Sequence, residues 1–163
     1  MGNFSKKMPT LADYKNPRKD FVLPDIPIKT LNYLHKKRKA VLLKKRVIEK
    51  IKKDHADIPQ TEYNNIIVEA LYKTTNILQP SYKSRPHYFN FISRNRKNSI
   101  VVLEITENKK QFEIVTFFRT KEQDFWRMLK KTKRDGGQSI ITDRQNLKGQ
   151  QAASALPLDQ DYK

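Results

Sequence analysis

The stretch QFEIVTFFRT, residues 111–120, decides the fold. It is rich in β-branched and aromatic residues, which pack well on the pleated surface of a sheet. Apolar and polar residues alternate in it with the period of two that is typical of a half-buried strand. The residues predicted to share its apolar face are Phe112, Ile114, Thr116 and Phe118. We therefore predict a strand in which one threonine interrupts a hydrophobic face.

Two further β-rich runs lie just before this stretch, at residues 87–93 and 99–106. The polar segments between the three runs, residues 95–98 and 107–110, are short enough for hairpin turns. Residues 122–133 follow with apolar side chains at helical spacing. This half of the chain therefore predicts an antiparallel meander that is followed by a helix.

Upstream, the apolar residues change to helical spacing. Residues 39–54 and 61–75 each carry one apolar stripe, so both segments predict amphipathic helices. The whole pattern predicts an α+β domain in which N-terminal helices pack on one face of a three- to four-stranded antiparallel sheet, with a further helix after the last strand. Either residues 77–82 or residues 139–142 would supply the fourth strand.

The segments at the two ends of the chain differ from its middle. Prolines at positions 9, 17, 24 and 27 interrupt the first segment, and Gly136-Gly137 ends the last predicted helix before a polar stretch. We predict a mobile leader over residues 1–27, a compact domain over residues 28–135 and a flexible tail over residues 136–163.

The composition excludes several classes of protein. The chain has 163 residues, no cysteine and only four glycines, three of them at or after Gly136. These counts exclude disulfides, thiol catalysis and a glycine-rich phosphate loop. The spacing of histidines and carboxylates suggests no metal site, so we predict no metal and no cofactor. No apolar run approaches the length of a bilayer span or a secretion signal, which predicts a reducing, aqueous compartment.

The charge predicts an anionic partner. The chain carries 34 Lys and Arg against 17 Asp and Glu, a formal net charge of +17. Nucleic acid is the first candidate, because phosphate neutralisation releases counterions, and an anionic membrane and an acidic protein follow. A codon bias toward lysine is the alternative explanation. The cations predicted to contact a nucleic-acid backbone are Lys44, Lys45, Lys52, Lys53, Lys83 and Lys121.

Four residues are candidates for chemistry. His55 ends the first predicted helix and has a pKa suited to a general acid or base, although a helix C-terminus can also use a histidine structurally. Thr116 places a hydroxyl on an apolar face, and such a hydroxyl needs either a partner or a ligand. Arg85 lies in a proline-bracketed loop, and Arg119 lies near the end of its strand. Either guanidinium could hold a phosphate or form a surface ion pair.

The order of these features resembles that of the barnase–EndoU–colicin–RelE-like ribonuclease superfamily, particularly its phage-borne and polymorphic-toxin branches. The segments that carry the resemblance are IKKDHADI (51–58), YNNII (63–67), NILQP (76–80), NSIVVLEI (98–105) and FEIVTFF (112–118). The resemblance implies helices on a four-stranded antiparallel sheet with RNA bound in a basic cleft across it. It also implies that His55 and Thr116 form the site pair, with Arg85 or Arg119 holding the phosphate.

These observations lead to the interpretation that the chain is a metal-independent endoribonuclease, a toxin or phage-encoded effector. Attack by the ribose 2′-OH would give a 2′,3′-cyclic phosphate, with His55 as acid or base and Thr116 as a hydrogen-bond donor. The expected partners are RNA, including tRNA or rRNA, and an acidic inhibitor or immunity protein, but no membrane. The expected location is the cytoplasm, or a target cytoplasm after delivery. The alternatives are a non-catalytic nucleic-acid-binding module and a structural protein that docks an acidic partner.

Overall fold

The computed structural model describes residues 6–80, 87–95 and 97–142, which form one mixed sheet and five helices within those ranges. The helices are α1 (Leu11–Lys15), α2 (Ile28–Leu34), α3 (Lys45–Asp54), α4 (Tyr63–Tyr72) and α5 (Glu122–Arg134), with a 3₁₀ turn at Gln60–Glu62 before α4. The strands are β1 (Phe21–Leu23), β2 (Ala40–Leu43), β3 (Asn76–Gln79), β4 (Tyr88–Ser93), β5 (Asn98–Glu104), β6 (Gln111–Thr120) and β7 (Gln138–Ile141).

The sheet has seven strands in the order β1-β2-β6-β5-β4-β3-β7. All neighbouring pairs are antiparallel except β2 and β6, which run parallel. The prediction of a three- to four-stranded antiparallel sheet is therefore wrong, although the protein is an α+β protein. The predicted meander is confirmed as β4, β5 and β6. Both candidates for a fourth strand form strands, β3 and β7, and these two pair with each other.

The parallel strand β2 comes from a segment that we predicted as the start of a helix. Its four residues are all apolar, and a run this short does not distinguish strand from helix by period. Val41 and Leu43 are buried, whereas Leu42 between them is half-buried. The ammonium group of Lys39 fixes the start of the pairing, because its Nζ donates to the carbonyl oxygens of Thr106 (2.9 Å) and Lys109 (2.8 Å) in the β5–β6 turn.

The segment before residue 28, expected to be a leader, belongs to the fold. β1 pairs with β2, and Tyr14, Leu23 and Ile26 are buried in the main core. Two tyrosine hydroxyls hold this segment against α4. The Tyr14 hydroxyl donates to Asn64 Oδ1, and the Tyr72 hydroxyl donates to the Pro24 carbonyl at 2.6 Å. Residues 11–26 therefore belong to the folded domain.

Helices cover both faces of the sheet, not one face as predicted. The first face packs against α3 and α4, whose buried residues include Ile51 and Ile67, and forms the larger core. The second face packs against α5 through Phe125 and Leu129, in a smaller cluster with Leu78. Among the described helices, α5 thus covers one part of the second face.

A buried arginine holds α5 to the sheet. The guanidinium of Arg94, just after β4, lies 4.2 Å from the ring centroid of Phe125 and 4.6 Å from that of Trp126. It also forms an ion pair with Glu122 in the first turn of α5. Contacts between a guanidinium and an aromatic face strengthen when both groups are desolvated, so Arg94 fixes the position of the helix N-terminus.

A β-bulge changes which residues of β6 share a face. Leu103 of β5 pairs with Ile114, but Val102 pairs with Thr116, so Val115 is an extra residue in β6. The alternation shifts by one at this point. Phe117 consequently lies in the larger core, whereas Thr116 and Phe118 lie on the second face. The predicted face that joined Ile114 to Thr116 and Phe118 is wrong.

Among the described helices, none is both long enough and apolar enough to cross a membrane.

Because of the bulge, Phe117 and Phe118 should contribute unequally to the free energy of unfolding. Phe117→Ala should lower the free energy of unfolding by about 3–5 kcal/mol, because its fully buried ring leaves a cavity. Phe118→Ala should cost only about 1–2 kcal/mol, because that ring is half-buried. Urea denaturation of both variants measures the difference. Equal costs, or a larger cost at Phe118, would contradict the bulged register.

Candidate functional site

His55 is the residue that ends α3. Its backbone N–H donates to the Ile51 carbonyl at 2.8 Å, and its imidazole is half-buried. The ring stacks on Phe118, with 5.5 Å between ring centroids and an angle of 10° between planes. One ring face is therefore occupied by a hydrocarbon neighbour. The structure brings His55 to the part of β6 that carries Thr116, which lies two residues before Phe118 on the same sheet face.

Arg119 lies on the opposite face of β6 and is engaged by α4. Its guanidinium forms ion pairs with Glu62 (2.6 Å) and Glu69 (3.5 Å). Glu69 also accepts a hydrogen bond from the Ser99 hydroxyl of β5. The Arg119 side chain is only 25% exposed. Its contacts join α4, the preceding 3₁₀ turn and the central strands, so this arginine stabilises the fold at this end of the sheet.

A first cleft, which we call the Arg119 cleft, opens beside this ion-pair network with a volume of about 350 Å³. Its charged lining residues are Lys97, Arg119, Lys121, Asp57, Glu62 and Asp124. Three cations and three carboxylates give no excess charge of either sign. Lys121 is exposed at the cleft mouth, where its backbone N–H bonds to Asp124 at the start of α5.

The other predicted backbone-binding lysines separate into two groups. Lys44 pairs with Glu113 at 3.0 Å, and Lys52 donates to the Lys15 carbonyl at 2.8 Å, so both ammonium groups have intramolecular partners. Lys45 and Lys53 have exposed side chains. Arg85 and Lys83 lie outside the described residues.

The exposed side of α3 is a basic surface. Its cations are Lys45, Arg46, Lys50 and Lys53, which we call the α3 basic face. None of these four side chains has a hydrogen bond or ion pair within the described ranges. Glu49 and Asp54 are the exposed carboxylates of this helix. The N-terminus of α3 takes its negative partner from elsewhere, because the Lys45 N–H donates to Asp20 Oδ1 at 2.8 Å.

The position of α3 follows from the parallel pairing of β2. β2 pairs with β6 only as far as Glu113, so within the described residues the later part of β6 has no strand on that side. α3 begins two residues after Leu43 and packs against β6 instead. The helix therefore lies at the edge of the second sheet face, and its basic side borders that face.

A second cleft, the α3 cleft, lies between α3 and the part of the second face that α5 leaves open. It has a volume of about 350 Å³. Its polar and aromatic lining residues are Lys44, Arg46, Lys50, Tyr88, Glu104, Lys109 and Glu113. Four cations against two carboxylates give it a positive excess. Of the two clefts, the α3 cleft thus has the charge that suits an anionic ligand.

The carboxylates of the α3 cleft are already neutralised. Lys109 lies 2.7 Å from Glu104 and 3.3 Å from Glu113, which also binds Lys44. Partial burial acts to raise the pKa of the Glu113 carboxyl, but hydrogen bonds from the two ammonium groups hold that pKa below its ordinary value of 4.5. Hydrogen bonds to Glu104 and Glu113 raise the pKa of Lys109. The cleft floor is therefore a closed ionic network.

The sequence prediction missed this network. Alternation along residues 111–120 places Glu113 on the face opposite Phe112 and Ile114, and that signal was available. The contribution of Lys109 depends on the conformation of the turn before β6, which the sequence pattern does not specify. Arg46 and Lys50 stand one helical turn apart, and that spacing is the sequence signal for their shared surface.

The arrangement can bind, but the described residues show no assembled acid–base site. His55 and Thr116 line neither cleft, and Arg119 is held by two glutamates. No group of three or more His, Cys, Asp or Glu side chains suited to a metal ion occurs in residues 6–80, 87–95 and 97–142.

Comparison with known proteins gives a family. The family model of large polyvalent protein-associated domain 13 matches residues 7–132, more than three quarters of the chain. The chain belongs to this family. The match to large polyvalent protein-associated domain 13 begins before α1 and ends within α5, so it includes β1, β2 and both clefts. No curated protein and no solved structure gave a significant match.

The family description is compatible with the expected toxin or effector context and specifies no catalytic activity. It makes no assignment to the barnase–EndoU–colicin–RelE-like superfamily, so that resemblance and the ribonuclease activity drawn from it stay predictions.

The Arg119 network yields a stability prediction. Arg119→Ala should lower the free energy of unfolding by about 2–3 kcal/mol, because it leaves Glu62 and Glu69 partly buried without their cation. Arg46→Ala, at an exposed side chain, serves as the control and should change the free energy of unfolding by less than about 0.5 kcal/mol. Chemical denaturation measures both. Unchanged stability in Arg119→Ala would show that the guanidinium is available for a ligand.

The α3 cleft yields a pH prediction. The folded-state pKa of Glu113 is lowered, so its carboxylate stabilises the fold at pH values above the ordinary pKa of 4.5. This stabilisation is lost as the pH falls through the lower pKa of the folded state. Glu113→Gln should therefore cost about 1 kcal/mol at neutral pH, and this cost should shrink as the pH falls below 4.5, measured by urea denaturation. Glu107→Gln is the control, because the Glu107 side chain is 88% exposed. A pH-independent cost at Glu113 would contradict the ionic role.

Proposed function

We propose that this domain is a non-catalytic nucleic-acid-binding module that holds the phosphate backbone, with RNA as its expected partner, on the α3 basic face. The observation that carries the proposal is the set of four exposed cations on one side of α3, next to a cleft with a positive excess. Cations that lack intramolecular partners are the groups that exchange counterions for phosphates.

The internal use of the acidic residues supports this proposal. Glu62, Glu69, Glu104 and Glu113 all form ion pairs within the fold. Half of the cations between Lys36 and Lys53 also have internal partners, Lys52 on α3 among them, yet the four cations of the α3 basic face have none within the described ranges. The surface field therefore comes mainly from unpaired Lys and Arg, which steer an anionic polymer toward the helix.

The placement of the predicted catalytic residues favours binding over cleavage. Cleavage requires an acid or base and phosphate-binding cations around one phosphorus atom. His55 stacks on Phe118, while Arg119 lies on the other side of the sheet and is bound to glutamates. A binding module needs no such convergence, only a row of cations and a surface beside it.

The family fits a binding role within a larger assembly. A domain associated with large polyvalent proteins can serve by tethering a nucleic acid, and this is compatible with a toxin or phage-borne effector that carries its activity elsewhere.

The salt dependence of RNA binding tests this function. The triple variant Arg46→Gln, Lys50→Gln, Lys53→Gln should reduce the slope of log affinity against log salt by about 2, since each phosphate contact to a single strand contributes about 0.7. Fluorescence anisotropy with a labelled RNA measures the slope. A matched control replaces the exposed Lys29, Lys37 and Lys131 by Gln, which removes the same charge away from α3.

An equal loss in both triple variants would contradict a defined binding face. RNA incubated with the protein in EDTA should stay intact. Discrete fragments that disappear in His55→Ala would replace this proposal with the ribonuclease. A tight complex with an acidic protein, together with no affinity for RNA, would overturn it in favour of protein docking.

A further inference from the structure

Among the described residues, the part of the second sheet face away from α5 keeps partial exposure to solvent. α5 packs over Leu78, Ile92 and Ile100, toward the β3 side and one end of the sheet. At the other end, the side chains on this face stay partly accessible. They are Tyr88 and Asn90 on β4, Glu104 on β5, and Glu113 and Thr116 on β6. Tyr88, Glu104 and Glu113 of this surface line the α3 cleft.

We propose that the α3 cleft receives an unpaired nucleotide, so that the nucleic acid bound by this domain is single-stranded. The inference rests on the proposed function and adds the form of the polymer. Tyr88 would stack with one base, while phosphates on either side contact Arg46 and Lys50 on the cleft wall.

The depth of the aromatic ring favours a single strand. Tyr88 is half-buried on a strand, inside a cleft whose wall is a helix. The bases of a duplex are stacked within the helix and reach no recessed ring, whereas the bases of a single strand can turn outward and stack on an aromatic side chain. Recessed rings beside a basic groove are typical of single-strand binding.

The spacing of the cations agrees with a nucleic-acid strand that runs along α3. Arg46, Lys50 and Lys53 lie on one side of the helix and span about 10 Å along its axis, from the rise of each helical residue. Arg46 and Lys50 also line the cleft that contains Tyr88, so phosphate-binding and stacking groups meet at one end of the row.

The ionic network of the cleft floor removes an obstacle to an anion. Lys44 and Lys109 compensate the two carboxylates at distances of 2.7–3.3 Å. A nucleotide in the cleft therefore meets no uncompensated negative charge. By contrast, the Arg119 cleft has equal numbers of cations and carboxylates and offers no such excess.

Competition between single-stranded and duplex RNA tests the inference. The probe is a labelled RNA of about 12 nucleotides, alone or annealed to its complement, titrated by anisotropy at one ionic strength. The wild-type domain should bind the single strand about tenfold more tightly. Tyr88→Ala should weaken single-strand binding about tenfold and leave duplex binding unchanged, while Tyr88→Phe, which keeps the ring, should retain it.

Two further variants keep the test decisive. Tyr88→Leu preserves apolar bulk on β4 without a stacking ring and replaces Tyr88→Ala if that variant does not fold. Tyr33→Ala removes a half-buried tyrosine on α2 and should have no effect on binding. Equal affinity for single strand and duplex, or full single-strand affinity in Tyr88→Leu, would overturn this inference while leaving backbone binding intact. If the wild-type domain binds neither form of RNA, that result would instead overturn the proposed function itself.

Discussion

The parallel pairing of β2 with β6 is the constraint on which the rest of the structure depends. It places β2, an apolar strand flanked by lysines, beside the central strand β6, adds β1 at the sheet edge and sends α3 along the later part of β6. Two lysines bracket the pairing, since Lys39 bonds to carbonyls of the β5–β6 turn and Lys44 binds Glu113. Without this pairing, neither the α3 basic face nor the α3 cleft would exist where they are.

The basic residues around β2 and on α3 serve both folding and surface charge. Lys39 and Lys44, which directly flank β2, have partners in the fold, whereas the lysines on the exposed side of α3 have none within the described ranges. A lysine whose three donors are directed to carbonyls or carboxylates contributes little to the external field. The charge available to a ligand is therefore smaller and more localised than the net charge of the chain suggests.

Much of the central sheet could be predicted from the sequence, because β4, β5 and β6 are long alternating runs separated by short polar turns. β2 could not, because four apolar residues between lysines fit a helix as well as a strand. The bulge at Val115 could not be predicted either, since only the register with β5 reveals the extra residue. That single residue exchanged the predicted environments of Phe117 and Phe118. At the site, the sequence identified α3 as basic, but the division of its cations between internal and exposed roles required the tertiary contacts.

The strand order also has a kinetic consequence. The central strands β4, β5 and β6 join through neighbouring segments, but the flanking pairs join distant ones, as in Ala40 with Gln111 and Ile77 with Ile140. Contacts between distant segments require closure of long loops, which slows their formation. The meander should therefore assemble early, and both wings should be added late. The wing that carries α3 would then be among the last parts of the molecule to become ordered during refolding.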